Sequence, residues 1–84
     1  MMRTKRRKRL HLYLLDDDKN TFEHVISTLM TSCNHNYYQA HQCANIVHTK
    51  GRIEVKSGFP PEIFALYLQL AQQGLNVELR KRKL

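Results

Sequence analysis

The sequence predicts an α+β domain, a two-layer β-α-α-β-α-β unit in which three helices cover a three-stranded antiparallel sheet. Three observations predict it. Apolar residues recur at helical spacing in three segments and at strand spacing in three others. Two spacings of three, Asn20–Glu23 and Asn36–Gln39, have the form of a capping box that opens a helix. Gly51 and Gly74 stand where two of the helices should stop, in positions that favour a left-handed residue.

Leu10 to Leu15 reads as the first strand, with apolar residues on both parities, so both faces should be partly covered. Asp16 to Lys19 is a turn. Asn20 opens the first helix, whose apolar stripe is Phe22, Val25, Ile26, Leu29 and Met30. Turn-prone residues 32–36 end it, and Asn36 opens a second helix with Ala40, Cys43, Ala44 and Val47 on its buried side. Arg52 to Lys56 alternates apolar against charged, as a half-exposed strand does. Pro60 and Pro61 fit the first turn of a third helix. Leu66, Tyr67, Leu70 and Ala71 can face the sheet there, while Phe64 and Leu68 point elsewhere. Leu75 to Leu79 alternates again as the last strand.

Charge divides the chain differently from hydropathy. Of fourteen Lys/Arg, ten lie at the two ends: Arg3, Lys5, Arg6, Arg7, Lys8 and Arg9, then Arg80, Lys81, Arg82 and Lys83. Like-charge blocks of this kind are read as disordered tails, residues 1–9 and 81–84, around one domain at 10–80. The net charge of +7 therefore belongs to the ends. No stretch approaches the ~18 apolar residues of a membrane span, and the basic start lacks the apolar run of a signal peptide. Cys33 and Cys43 form no disulfide framework and suit a reducing compartment, so a cytoplasmic protein is expected.

Against that basic background, Asp16-Asp17-Asp18 supplies three of the seven acids at one strand-to-helix corner. Its plain reading is a solvated turn at the positive end of a helix. Its functional reading is a cation site. The spacing does not suit a calcium loop, which alternates its ligands and closes with a later Glu. Cys33, His35, His41, Cys43 and His48 suggest zinc by residue type. Positions 41 and 43, however, lie about 200° apart around a helix and cannot share an ion. His41, Asn45 and His48 share a helix face at spacings of four and three. No nucleophile–base arrangement or Gly-rich phosphate loop is visible, so neither an enzyme nor a cofactor is expected. The tails lack interleaved aromatics, and specific nucleic-acid recognition is not expected of them.

Leu14-Leu15-Asp16-Asp17-Asp18 resembles the leucine-rich strand and Asn-Asp-Asp corner of the ClpS adaptor family. Thr21-Phe22-Glu23-His24-Val25 resembles its Thr-Pro-Met-Glu-Phe-Val helix start, and Val47-His48-Thr49-Lys50-Gly51 its Val-His-x-x-Gly helix end. The resemblance runs from Leu12 to Leu79 and weakens beyond Val55. It implies a non-enzymatic adaptor, with no metal and no membrane association, that binds N-degron proteins by a bulky hydrophobic first residue and delivers them to the N-terminal domain of a Clp-type AAA+ unfoldase. The α-amino group would be held by Asp16, Asp18 and His48, with Asp17 in the same corner. The side-chain pocket would comprise Leu15, Asn20, Phe22, Val25, Ala44 and Val47, closed by Leu75 or Val77. Glu62 would contact the unfoldase, and the chain would act as a monomer. Two departures stand out. Asp16 replaces the family's usual Asn, adding charge and salt sensitivity, and Phe22 and Ala44 occupy the positions of two pocket methionines. The alternatives are a basic nucleic-acid or ribosome-associated module of the same fold, and an unfoldase regulator without N-end recognition.

Overall fold

A computed structural model describes residues 9–82. Most of the two basic blocks, residues 1–8 and 83–84, lies outside the described residues. The elements follow the expected order: β1 (Leu10–Leu15), α1 (Phe22–Ser32), α2 (Tyr37–Lys50), β2 (Arg52–Gly58), α3 (Pro60–Gln72) and β3 (Val77–Arg80). The sheet order is β2-β1-β3, with both pairings antiparallel. The central strand is thus the one that runs directly into the acidic corner.

One face of the sheet carries the core. Leu12 and Leu14 of β1 pack with Ile26, Leu29 and Cys33 of α1, Ala40, Ala44 and Val47 of α2, and Ile63 and Leu70 of α3. The opposite face carries His11, Tyr13, Glu54, Glu78 and Arg80. His11 Nδ1 lies 3.3 Å from Glu54 Oε1, and Arg80 Nη2 lies 3.0 Å from Glu78 Oε2. Tyr13, paired in register with Glu54 and Glu78, is nevertheless buried. That accounts for the apolar residues on both parities of β1.

Local chemistry sets the element ends. Asn36 and Gln39 form the expected capping box: Gln39 N–H donates to Asn36 Oδ1 at 2.8 Å, and Asn36 N–H to Gln39 Oε1 at 3.0 Å. Gly51 ends α2 with φ +93°. The start of α1 differs from expectation by one residue. Thr21 is its cap, accepting from His24 N–H at 3.0 Å, because the Asn20 side chain is engaged elsewhere. β3 begins at Val77, two residues later than expected: Leu75 N–H closes the end of α3 by donating to Leu70 C=O at 3.1 Å.

β2 also departs from simple alternation. Its pairing with β1 slips by one residue between Leu12↔Lys56 and Tyr13↔Glu54, a bulge at Val55. Beyond the bulge the parity reverses. Lys56 and Gly58 turn to the helix side, and Ser57 turns to the open face, where Arg9 donates to it at 3.2 Å. Gly58 is buried there, and a Cβ on it would lie 3.5 Å from the Ile63 side chain. Arg80 pairs in the sheet opposite His11.

Candidate functional site

The corner after β1 is organised by its middle acid. Asp17 Oδ1 accepts from the backbone N–H groups of Lys19 and Asn20, each at 3.0 Å, and Asn20 Nδ2 donates to Asp17 Oδ2 at 3.0 Å. Partial burial opposes its charge, but the bonds from Asn20 and Lys19 prevail and hold the carboxyl below its ordinary 3.8. Asp17 is therefore turned into the turn. Asp16 and Asp18, its neighbours, are exposed. Among the described residues, none hydrogen-bonds to the side chain of Asp16, Asp18 or His48.

Three bonds carry this corner to distant parts of the chain. Leu15 N–H donates to Asn76 C=O at 2.8 Å, and Asp16 N–H to Gly51 C=O at 3.0 Å. Asn20 Nδ2 donates to Gly74 C=O at 2.9 Å. The second bond is the decisive one. Gly51 N–H caps α2 through Val47 C=O at 2.9 Å while its carbonyl receives Asp16. The last turn of α2, which carries His48, is thereby fastened beside the acids.

These contacts enclose a cleft of about 300 Å³ lined by Leu14, Leu15, Asp16, Asp17, Asp18, Asn20, Phe22, Val25, Ala44, Val47, His48, Leu75 and Asn76. Its depth is apolar: Leu14, Ala44, Val47 and Leu75 are buried. Its rim is polar, with Asp16, Asp18 and His48 exposed. A cleft built this way can hold a cationic group at the mouth and an apolar group inside.

Most residues singled out from the sequence line this cleft, but not in equivalent ways. Val77 does not line it; in β3 it pairs with Leu14, and the turn residue Leu75 closes the cleft instead. Asn20 lines it, but its amide is committed to Asp17 and Gly74. Leu14 and Asn76 were not anticipated. Leu14 follows the strand parity that points to the helices, whereas Asn76 enters through a backbone bond that leaves no trace in residue type. Glu62 lies apart, exposed in the first turn of α3. Cys33 and Cys43 are free; burial pushes the Cys33 thiol up to about 11, against a weak opposing effect of Lys56. Among the described residues, no group of three or more His, Cys, Asp or Glu side chains is placed to hold a metal ion. His41 and Cys43 diverge around α2, and His41 packs edge-on against Phe22. No described helix is long and apolar enough to cross a membrane.

Comparison with known proteins adds the family. Agrobacterium tumefaciens ClpS2, solved bound to L-phenylalaninamide, is similar in fold with a TM-score of 0.82 at 17% identity, covering 92% of this chain and 100% of that one. No curated protein sequence matches the chain. The family model of the ATP-dependent Clp protease adaptor protein ClpS matches residues 5–78. That match takes in every element from β1 into β3, so the chain belongs to the ClpS family of Clp protease adaptors.

Proposed function

We propose that the chain binds proteins with a free α-amino group and a bulky hydrophobic first residue, and delivers them to the N-terminal domain of a Clp-type AAA+ unfoldase. It does so in the cytoplasm, as a monomer and without chemistry of its own. The observation that carries this reading is the juxtaposition of unpartnered Asp16, Asp18 and His48 at the rim of an apolar cleft.

An α-ammonium offers three N–H donors. Two carboxylates and a neutral imidazole nitrogen offer three acceptors, and bonds between charged partners are the strong ones. The apolar depth beneath would reward a large side chain by about 1.5–3 kcal/mol of burial. Phenylalaninamide, the ligand of the Agrobacterium ClpS2 structure, has a free amine and an aromatic side chain in the same molecule. Asp17 serves the clamp indirectly, by holding the turn on which its neighbours stand.

Glu62 supports the delivery step. It borders a separate groove with Ser32, Lys56 and Leu66, and this groove shares no lining residue with the cleft. Client and unfoldase could then be held at the same time.

The test is fluorescence anisotropy with peptides that begin with Phe, Leu, Trp or Tyr, each with a free or an acetylated N-terminus. Free-amine peptides should bind, and acetylation should weaken them by at least tenfold. Equal affinity for the two forms would rule out the amino-group role.

A further inference from the structure

A second cleft adjoins the first. It measures about 540 Å³ and lies between α1 and α2, bordered by Phe22, Glu23, Ile26, Met30, Tyr37 and His41. Phe22 is common to both clefts and is the wall between them. Its ring meets the edge of the His41 ring at 5.5 Å, and His41 lies 5.6 Å from Tyr37.

The two clefts follow one line along each helix. On α2, His48 and Ala44 border the first cleft, and His41 and Tyr37 the second. These four positions fall within about 60° of one another around the axis. On α1, Phe22, Ile26 and Met30 recur every fourth residue. We propose that this second cleft receives the side chain of the third residue of the same peptide, and that it selects an apolar one. The inference rests on the reading of the first cleft as the site of the peptide's first residue.

Distance admits the third residue, and parity points to it. Along α2 the lining residues of the two clefts stand from three positions apart (Ala44 and His41) to eleven (His48 and Tyr37), about 4.5 to 16.5 Å at 1.5 Å per residue. Two residues of extended peptide span about 7 Å, within that range. In an extended chain, residues one and three also point to the same side, whereas residue two points away.

The lining sets the preference. Ile26 is buried at the floor, with Met30 38% and Tyr37 59% exposed at the edges. Met is an adaptable apolar surface. Tyr supplies a large rigid one at small entropic cost. Glu23 borders the same cleft and repels an acidic side chain.

The experiment uses the full chain and peptides beginning Phe-Gly-Xaa, with Xaa as Leu, Gly or Asp, and phenylalaninamide as the reference for the first cleft. Leu should bind about tenfold more tightly than Gly, as expected for burial of one side chain, and Asp more weakly than Gly. In the Met30→Ser/Tyr37→Ala double variant, the Leu preference should fall below about twofold while phenylalaninamide affinity is unchanged. Both substituted side chains are exposed, and an unchanged melting temperature would verify the fold. Equal affinity for Leu and Gly peptides, with phenylalaninamide still bound, would overturn the third-residue site alone. A Leu preference that survives in the double variant would overturn it too. Failure to bind phenylalaninamide would remove the first-cleft reading and this inference with it.

Discussion

Asp17 and Asp18 are adjacent and chemically identical, yet alanine should affect them in opposite ways. The Asp17 carboxylate accepts from two backbone N–H groups and from the Asn20 amide, at 3.0–3.2 Å. Each bond contributes about 0.5–1.5 kcal/mol net, and water can replace part of that at a half-buried corner. Three donors lost together should cost about 2 kcal/mol. For a domain of this size, 1 kcal/mol corresponds to about 4–8 °C in Tm, so Asp17→Ala should melt on the order of 10 °C lower. Asp18 is exposed and has no such bonds, so Asp18→Ala should stay within about 0.5 kcal/mol of wild type. Its defect should be in binding, with peptide affinity lowered by tenfold or more. Thermal unfolding followed by circular dichroism, together with anisotropy, reads both effects. Equal Tm losses in the two variants would refute the division between a turn-holding acid and a binding acid. So would an unchanged Tm for Asp17→Ala.

The same assignment fixes an acid dependence. Partial burial raises the Asp17 pKa, but the bonds from Asn20 and Lys19 outweigh it, so the folded-state value lies below 3.8. A depressed carboxyl stabilises the fold above its unfolded-state pKa, and that contribution is lost as pH falls through the lower folded-state value. The stability gap between wild type and Asp17→Asn should therefore narrow between pH 5 and pH 2 in urea titrations. His48→Ala should leave Tm within about 4 °C of wild type, since the side chain is exposed, but weaken free-amine peptides by about tenfold or more in anisotropy. Ala44→Met fills a buried position of the cleft and should shift preference from Phe toward smaller first residues, read as the ratio of Phe to Leu peptide affinities. Gly51→Ala meets no atom within 4 Å, so its cost should be the left-handed strain alone, about 1 kcal/mol and 4–8 °C in Tm.

Much of this architecture was legible because the signals were local. The Asn36 capping box and the Gly51 stop depend on residues within one turn of each other, and both occur as the spacing implies. The misreadings arose where a side chain had a distant partner. Asn20 has the type and spacing of a cap, but its amide bridges Asp17 and Gly74, fifty-four residues away, so Thr21 takes the cap. Val77 has the right alternation for a cleft residue, but Leu75 N–H is drawn into the end of α3 and the strand starts later. The bulge at Val55 had no sequence sign at all, because Arg52-Ile53-Glu54-Val55-Lys56 alternates without a flaw.

The candidate site shows the same division. Residue types could mark Asp16, Asp18 and His48 as polar groups suited to an ammonium, but not that they meet. Their shared cleft follows from the β1–β2 pairing, Leu15 against Arg52, continued by the bond from Asp16 N–H to Gly51 C=O, which no side chain encodes. That bond needs Gly51 in its left-handed conformation, so that its N–H closes α2 while its C=O turns toward β1. It also needs Asp17 to spend its carboxylate on the turn, which leaves Asp16 and Asp18 unpartnered on either side. In a chain of net charge +7, an approaching ammonium meets general repulsion, screened over about 10 Å at 0.1 M salt. Two exposed carboxylates at the rim would oppose that repulsion locally. In the proposed clamp the middle acid holds the turn, the outer two face the ammonium, and the glycine thirty-three residues beyond Asp18 fastens the helix end that carries the imidazole.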